Sequence, residues 1–282
     1  MILQFLIGGG NILFSIMFVY QFGWGVWGVA FGTVLAELIA VVVGLIIVMR
    51  HYGGIGAIIS TLPRSELLKI GELKRLFALS RDLTIRTAAL ESTFAFFIAQ
   101  ASREGTIALA ASTIILNFQM ITAFFLDGQA QAAEQLCGKA VGANFRPAFE
   151  RAVRLAMIWG LGIGFTMFMF WITFGPILID FMTTVPEVRS VARDYMLMAS
   201  LMSVTGIVAF VMDGVMTGAT LNTIIRNGML AALAVFLTAA IILQPLFGIN
   251  GLWAALHLFF IARGVIFWFA VRHKMPSLFP AG

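Results

Sequence analysis

The chain has 282 residues, of which 61% are hydrophobic and 11% charged, with a net charge of +5 and a mean hydropathy of +1.00. A soluble domain carries about 25% charged residues, so this composition leaves too little polar surface to cover a water-facing globule and reads as an integral membrane protein. The basic surplus then belongs to loops at one membrane face rather than to a nucleic-acid surface.

Eight apolar segments approach the roughly 20 residues that a helix needs to cross a bilayer. In chain order they are 1–21, 26–49, 83–102, 106–126, 155–175, 195–217, 228–247 and 250–271. The runs are continuous rather than alternating, which predicts an all-α integral membrane protein, not a barrel. Met1 is followed by "ILQFLIGGGN" without a basic n-region, unlike a secretory signal peptide.

Between the second and third segments, "PRSELLKIGELKRLFALS" (63–80) sets Leu67, Ile70, Leu73 and Phe77 at helical spacing against a basic face. This predicts an amphipathic helix lying in the membrane plane. It suits either a hinge between two bundles or a plain connector on anionic headgroups. The predicted organisation is residues 1–50 as two helices of a first bundle, 51–82 as a cytoplasmic linker, 83–274 as a six-helix bundle and 275–282 as a tail.

Fourteen of the eighteen basic residues fall on one side of this arrangement, in 50–86, 127–154, Arg226 and the tail. Arg103, Arg189 and Arg193 fall on the other, and Arg263 lies inside a span. That asymmetry places both termini in the cytoplasm.

"FGWGVWGVA" (22–30) resembles "FGINGLWAA" (247–255), each following one span and opening the next. Trp27 aligns with Trp253, Ala36 with Ala262 and Glu37 with Arg263, and "RH" closes both spans at Arg50–His51 and Arg272–His273. A six-span unit repeated in parallel explains this spacing. On that reading four spans precede Met1 in the complete protein, and an N-terminally truncated chain is the expectation.

Charges at membrane depth cost roughly 2.5–3.5 kcal/mol each on insertion scales, so they face a bundle interior, water or a counter-ion. The candidates are Glu37, Glu91, Asp213 and Arg263, with Asp127 at a span end. Asp127–Gly128 and Asp213–Gly214 repeat an acid–glycine step. The acids suit contact with a cation or substrate at an inner gate, or a polar anchor on Arg226, Arg86 or backbone amides; the glycines suit close helix approach. Arg263 keeps its charge and needs an acid, for which Glu91 and Asp213 are the deep candidates in the same bundle. Glu37 has no deep basic partner. Asn117 and Gln119 can meet a ligand or join helices. His257 suits a packed neutral imidazole. Phe (27) and Met (15) are abundant, which suits a pocket of loose specificity, although most must face lipid or neighbouring helices.

The stretches "RDLTIRTAAL" (81–90), "FFLDGQAQAAEQLCGKAVGA" (124–143), "TTVPEVRSVARDYM" (183–196), "VMDGVMTGATLNTIIRNGM" (211–229) and "ARGV" (262–265) together resemble the DinF-like branch of the multidrug and toxic compound extrusion (MATE) family, over nearly the whole chain. The resemblance implies twelve helices in two six-helix lobes, of which this chain supplies the last two of the first lobe and the whole second. It implies efflux of small hydrophobic or cationic organic substrates in exchange for H+ or Na+, without a cofactor, in a bacterial-type inner membrane. It implies a role in cation coupling for Glu91, on a helix where sodium-coupled members place a glutamate, while the acid of proton-coupled members sits on a first-lobe helix that has no counterpart here. A lipid-linked precursor flippase of the same superfamily and a non-transporting membrane scaffold or fragment are the competing readings. No nucleophile–base or metal-ligand pattern points to an enzyme.

Overall fold

The computed structural model describes residues 2–54 and 70–280. The described residues form helices joined by short turns: α1 (Ile2–Ile16), α2 (Gly25–Tyr52), α3 (Ile70–Arg103), α4 (Thr106–Gly142), α5 (Arg146–Met182), α6 (Pro186–Thr205), α7 (Ile207–Gly218), α8 (Asn222–Phe247) and α9 (Ile249–Leu278). Seven of the eight apolar segments lie on these helices, α6 and α7 sharing one, and the described part of the first runs along α1 into the turn after it. Among the described residues six helices are long and apolar enough to cross a membrane, α6 and α7 counting as one. α1 is short and ends in a π-helical turn over Met17–Gln21. α3 carries Arg86 and Glu91 along its length, which lowers its apolarity.

The chain divides into two compact units, residues 1–75 and 76–282. Among the described residues the first holds the α1–α2 hairpin and residues 70–75 at the start of α3. The hairpin turn passes through Gly23 (φ +68°) and Gly25 (φ +52°), a backbone region that glycine enters without steric cost. Gly28 and Gly32 of α2 lie against the backbone of Phe18, Phe14 and Ser15. The Asn11 amide donates to Thr33 Oγ1 across the hairpin at 2.8 Å.

The second unit contains the rest. α8 and α9 form another hairpin, turning at Gly248 (φ +58°), where "FGINGLWAA" predicted a counterpart of the first. α7 is its most enclosed element. Gly214 and Gly218 press against the α4 backbone at Ala130 and Glu134, while Gly160 and Gly164 of α5 face Val211 and Ile207. Gly264 of α9 faces Val208 and Ala209. Helices without a hydrophobic drive to associate in lipid pack through such small residues, because close backbone approach maximises dispersion contact. α3 joins this unit differently. Its stripe of Ala89, Thr93, Phe97 and Ala101 is buried, and Phe97 meets Trp253 with ring centroids 4.7 Å apart. Its backbone nevertheless makes almost no close approach to the other helices.

Three expected boundaries move. Residues 63–69 of the predicted in-plane helix lie outside the described residues. From Ile70 the segment forms the first turns of α3, because the same period continues unbroken into the span. The polar connection at 127–154 is helical except at Ala143–Phe145, since its Ala-, Gln- and Arg-rich sequence favours helix outside the apolar zone as well. The predicted tail is helical to Leu278, and Phe279 packs on Phe149 with ring centroids 5.5 Å apart.

Candidate functional site

The deep charges of the second unit converge on one carboxylate. Asp213, in the middle of α7, is 7% exposed. Arg86 Nη2 from α3 and Arg263 Nη2 from α9 each lie 3.0 Å from its Oδ2. The Arg263 guanidinium also lies over the rings of Phe210, Phe259 and Phe260, 5.2, 5.8 and 5.3 Å from their centroids, where ring quadrupoles favour a cation. Gly264 follows Arg263 and Gly214 follows Asp213, so each charged residue sits beside the glycine that brings its helix close to a neighbour. Sequence and packing thus place the ion pair where three helices meet. Asp127, one turn before the Gly214 contact on α4, is exposed and within electrostatic range of Asp213, Arg263 and Arg86.

A second carboxylate lies one turn earlier on α3. Asp82 is buried. Its Oδ1 accepts from Arg226 Nη1 at 2.6 Å and from Arg81, and its Oδ2 accepts from Thr223 Oγ1 at 2.9 Å. Asp82 precedes the membrane span. Burial pulls its pKa upward, but the hydrogen bonds from Thr223 and Arg81 and the charge and hydrogen bond of Arg226 outweigh that and hold it below the ordinary carboxylate value. α3 therefore carries an acid and a base four residues apart that meet opposite charges on α8 and α7.

The other expectations divide. Arg263 had Asp213 and Glu91 as candidate partners, and Asp213 takes it. Glu91 is exposed without a hydrogen bond or ion pair among the described residues, because its helix turns it away from the stripe that carries Arg86. Of the anchors considered for Asp213, Arg86 fits, whereas Arg226 goes to Asp82. Asp127 forms no direct ion pair among the described residues. Gly128 meets nothing within 4 Å, so the close approach expected there occurs only at Gly214. Asn117 is exposed and donates to Thr113 O on its own helix. Gln119 is buried, and neither of its amide atoms has a hydrogen-bond partner. Glu37 is exposed on α2. His257 places Nε2 3.0 Å from Met198 O and Nδ1 2.9 Å from Thr205 Oγ1; a neutral ring with its proton on Nε2 satisfies both. Asp82 and its partners were not among the sequence candidates. The available signal was the four-residue spacing of Asp82 and Arg86 in "RDLTIR", which puts opposite charges on one helix face.

Residues 84–246 match the MatE family model. The chain belongs to the MatE family. Its members are transporters and not enzymes, which agrees with a multi-pass, all-helical membrane chain lacking a catalytic pattern. It is 28% identical over 258 residues to DNA damage-inducible protein F of Escherichia coli (strain K12), covering 90% of this chain and 55% of that protein. It is 24% identical over 266 residues to Protein DETOXIFICATION 44, chloroplastic, of Arabidopsis thaliana, covering 90% and 48%. The chain thus spans about half the length of the curated relatives it matches. The fold is similar to that of the Vibrio cholerae MATE transporter VcmN in its bent form, with a TM-score of 0.83 at 18% identity over 98% of this chain and 62% of the other. An outward-facing multidrug resistance MATE family transporter of the MOP superfamily gives 0.79 at 17% identity, over 98% and 62%.

Proposed function

We propose that this chain is a MATE-type multidrug efflux antiporter, or the part of one that includes its second lobe. It exchanges a cation, H+ ahead of Na+, for small hydrophobic or cationic organic substrates. Its membrane is a bacterial-type inner membrane, with both termini cytoplasmic. The observation that supports this reading is Asp213, a carboxylate enclosed by apolar helices yet held by two guanidiniums. A buried ion pair surrounded by apolar side chains gains little stability over a hydrophobic replacement, so a role in cation handling explains why the charges stand there. Asp213 and nearby Asp127 are the acids assigned to cation or substrate contact, and Glu91 is a candidate coupling residue on the adjoining helix. Family membership and the likeness to a multidrug resistance MATE family transporter support the substrate class.

A lipid-linked precursor flippase would present unneutralised basic side chains to an anionic headgroup. Arg86 and Arg263 both contact Asp213 instead, which leaves one positive charge in excess rather than two free basic side chains and favours the antiporter. A non-transporting membrane scaffold is separated from both by transport itself. The chain is reconstituted in liposomes, an inward or outward pH gradient or a sodium gradient is imposed, and movement of a fluorescent cationic dye is followed. Gradient-driven movement that disappears in Asp213→Asn supports the proposal. Movement that persists unchanged in that variant removes Asp213 from the mechanism. An inserted, folded chain that moves no dye under any gradient is the outcome expected of a part of an antiporter as well as of a scaffold. The Asp213→Asn comparison is then made in a complete twelve-helix relative, where loss of gradient-driven efflux supports the antiporter and unchanged efflux removes Asp213 from the mechanism.

A further inference from the structure

The two cations on Asp213 are held in unequal ways. Both reach the same oxygen, Oδ2, at 3.0 Å. The Arg263 side chain is 2% exposed and is enclosed by Phe210, Phe259 and Phe260. Its neighbour Gly264 is pressed onto α7, so Arg263 has no room to swing away. The Arg86 side chain is 27% exposed. It extends from α3, the helix whose backbone stands off from the rest of the unit. Asp213 Oδ1 is buried and has no hydrogen-bond partner among the described residues. The carboxylate therefore keeps a free acceptor atom beside one fixed and one removable cation.

Charge counting points the same way. Arg86 and Arg263 in direct contact with one acid leave an excess of one positive charge at the carboxylate itself, which Asp127 offsets only from farther away. A further cation arriving there without a departure would meet that excess in a medium that screens it poorly. A monovalent cation that displaces Arg86 leaves the count unchanged. Asp127, exposed on α4 and within electrostatic range of Arg86, offers the released guanidinium an acid nearby.

The geometry points to Arg86 as the exchangeable counter-ion of Asp213: a monovalent organic cation takes its place on the carboxylate, while Arg263 remains as the resident partner. Arg86 is in this sense a positioning residue, which keeps the acid occupied until the cation arrives. This rests on the reading that the chain binds cationic substrates. Because Arg86 sits one turn from Asp82, its release leaves the Asp82–Arg226 contact as the remaining ionic tie on that part of α3.

The test is binding of tetraphenylphosphonium to the purified full chain in lipid nanodiscs, followed by calorimetry. Arg86→Gln removes the competitor and tightens binding by about tenfold or more. Arg86→Lys keeps the competing charge and stays within about threefold of the parent chain. Asp213→Asn abolishes binding. If Arg86→Gln leaves affinity unchanged or weakens it while Asp213→Asn still abolishes binding, the exchange is overturned and the cation-binding reading stands. If binding survives Asp213→Asn, or no form binds, both fall. A second measurement is independent of whether Arg86→Gln folds. A spin label on exposed Ser80 of α3 gains mobility when tetraphenylphosphonium is added to the otherwise unchanged chain. A label that does not respond to saturating cation overturns the exchange.

Discussion

The hairpins α1–α2 and α8–α9 are built on related sequence and turn on positive-φ glycines, yet treat the same slot in opposite ways. In α9 that slot holds Arg263, 1% exposed and paired with Asp213. In α2 it holds Glu37, exposed and without a partner among the described residues. The difference lies in what packs against each hairpin inside its own unit. α9 meets α7 and the ring of Phe210, whereas among the described residues of the first unit α2 meets α1 and the π-helical turn that follows α1. A charged residue in this slot becomes part of a buried ion cluster where a further helix closes over it, as α7 does over Arg263.

This comparison breaks most sharply at Asp213. Asp213→Leu leaves Arg263 buried without its acid and should cost about 3–5 kcal/mol, read as a lowered midpoint in thermal or denaturant unfolding of the purified chain in detergent. Glu37→Leu should change the same midpoint by under about 0.5 kcal/mol, as expected away from buried networks. Equal losses in the two variants would show that the hairpins are not distinguished by burial.

The glycines give the next contrast. Gly214→Ala places a methyl group onto the carbonyl of Ala130 and should cost about 1–3 kcal/mol as α7 is pushed off α4. Gly128→Ala, facing open space, should be neutral or stabilising by up to about 1 kcal/mol, because alanine loses less backbone entropy on forming helix. Parallel melting curves decide it, and a Gly128→Ala loss as large as that of Gly214→Ala would contradict the packing described.

A smaller effect is expected at Asp82. Its folded pKa lies below the ordinary value, so its contribution is complete above about pH 4 and fades as pH falls through the folded pKa, where the carboxyl is protonated in both states. The stability gap between the parent chain and Asp82→Asn should hold from pH 7 to about pH 5 and close on further acidification. A gap that widened in acid would reverse the sign of the shift. Glu91→Gln should alter stability least, since its side chain holds no partner.

Much of this could be read from residues alone. Apolar runs of span length fixed the all-helical class, since a backbone in hydrocarbon must satisfy itself. "FGWGVWGVA" and "FGINGLWAA" marked the two hairpins, and the scarcity of charge picked out Asp213 and Arg263 as residues requiring a partner. Sequence could not choose between Glu91 and Asp213 as that partner, because helix rotation, set by Ala89, Thr93 and Phe97 seeking burial, decides which face of α3 turns inward. It also passed over Asp82, which looks like an ordinary residue at a span edge until Arg226, 144 positions later, folds onto it.

The sequence by itself determined that the chain lives in a membrane, which segments are helices and which charges are costly, because hydrophobicity and backbone hydrogen bonding act locally along the chain. Only the tertiary structure decided that Arg86 and Arg263 share one carboxylate oxygen, that Gly214 rather than Gly128 is a helix contact, and that Glu91 stands apart. Those outcomes depend on which faces of distant helices meet: dispersion acts only at contact, and an ion pair offsets the desolvation of its charges only at close range.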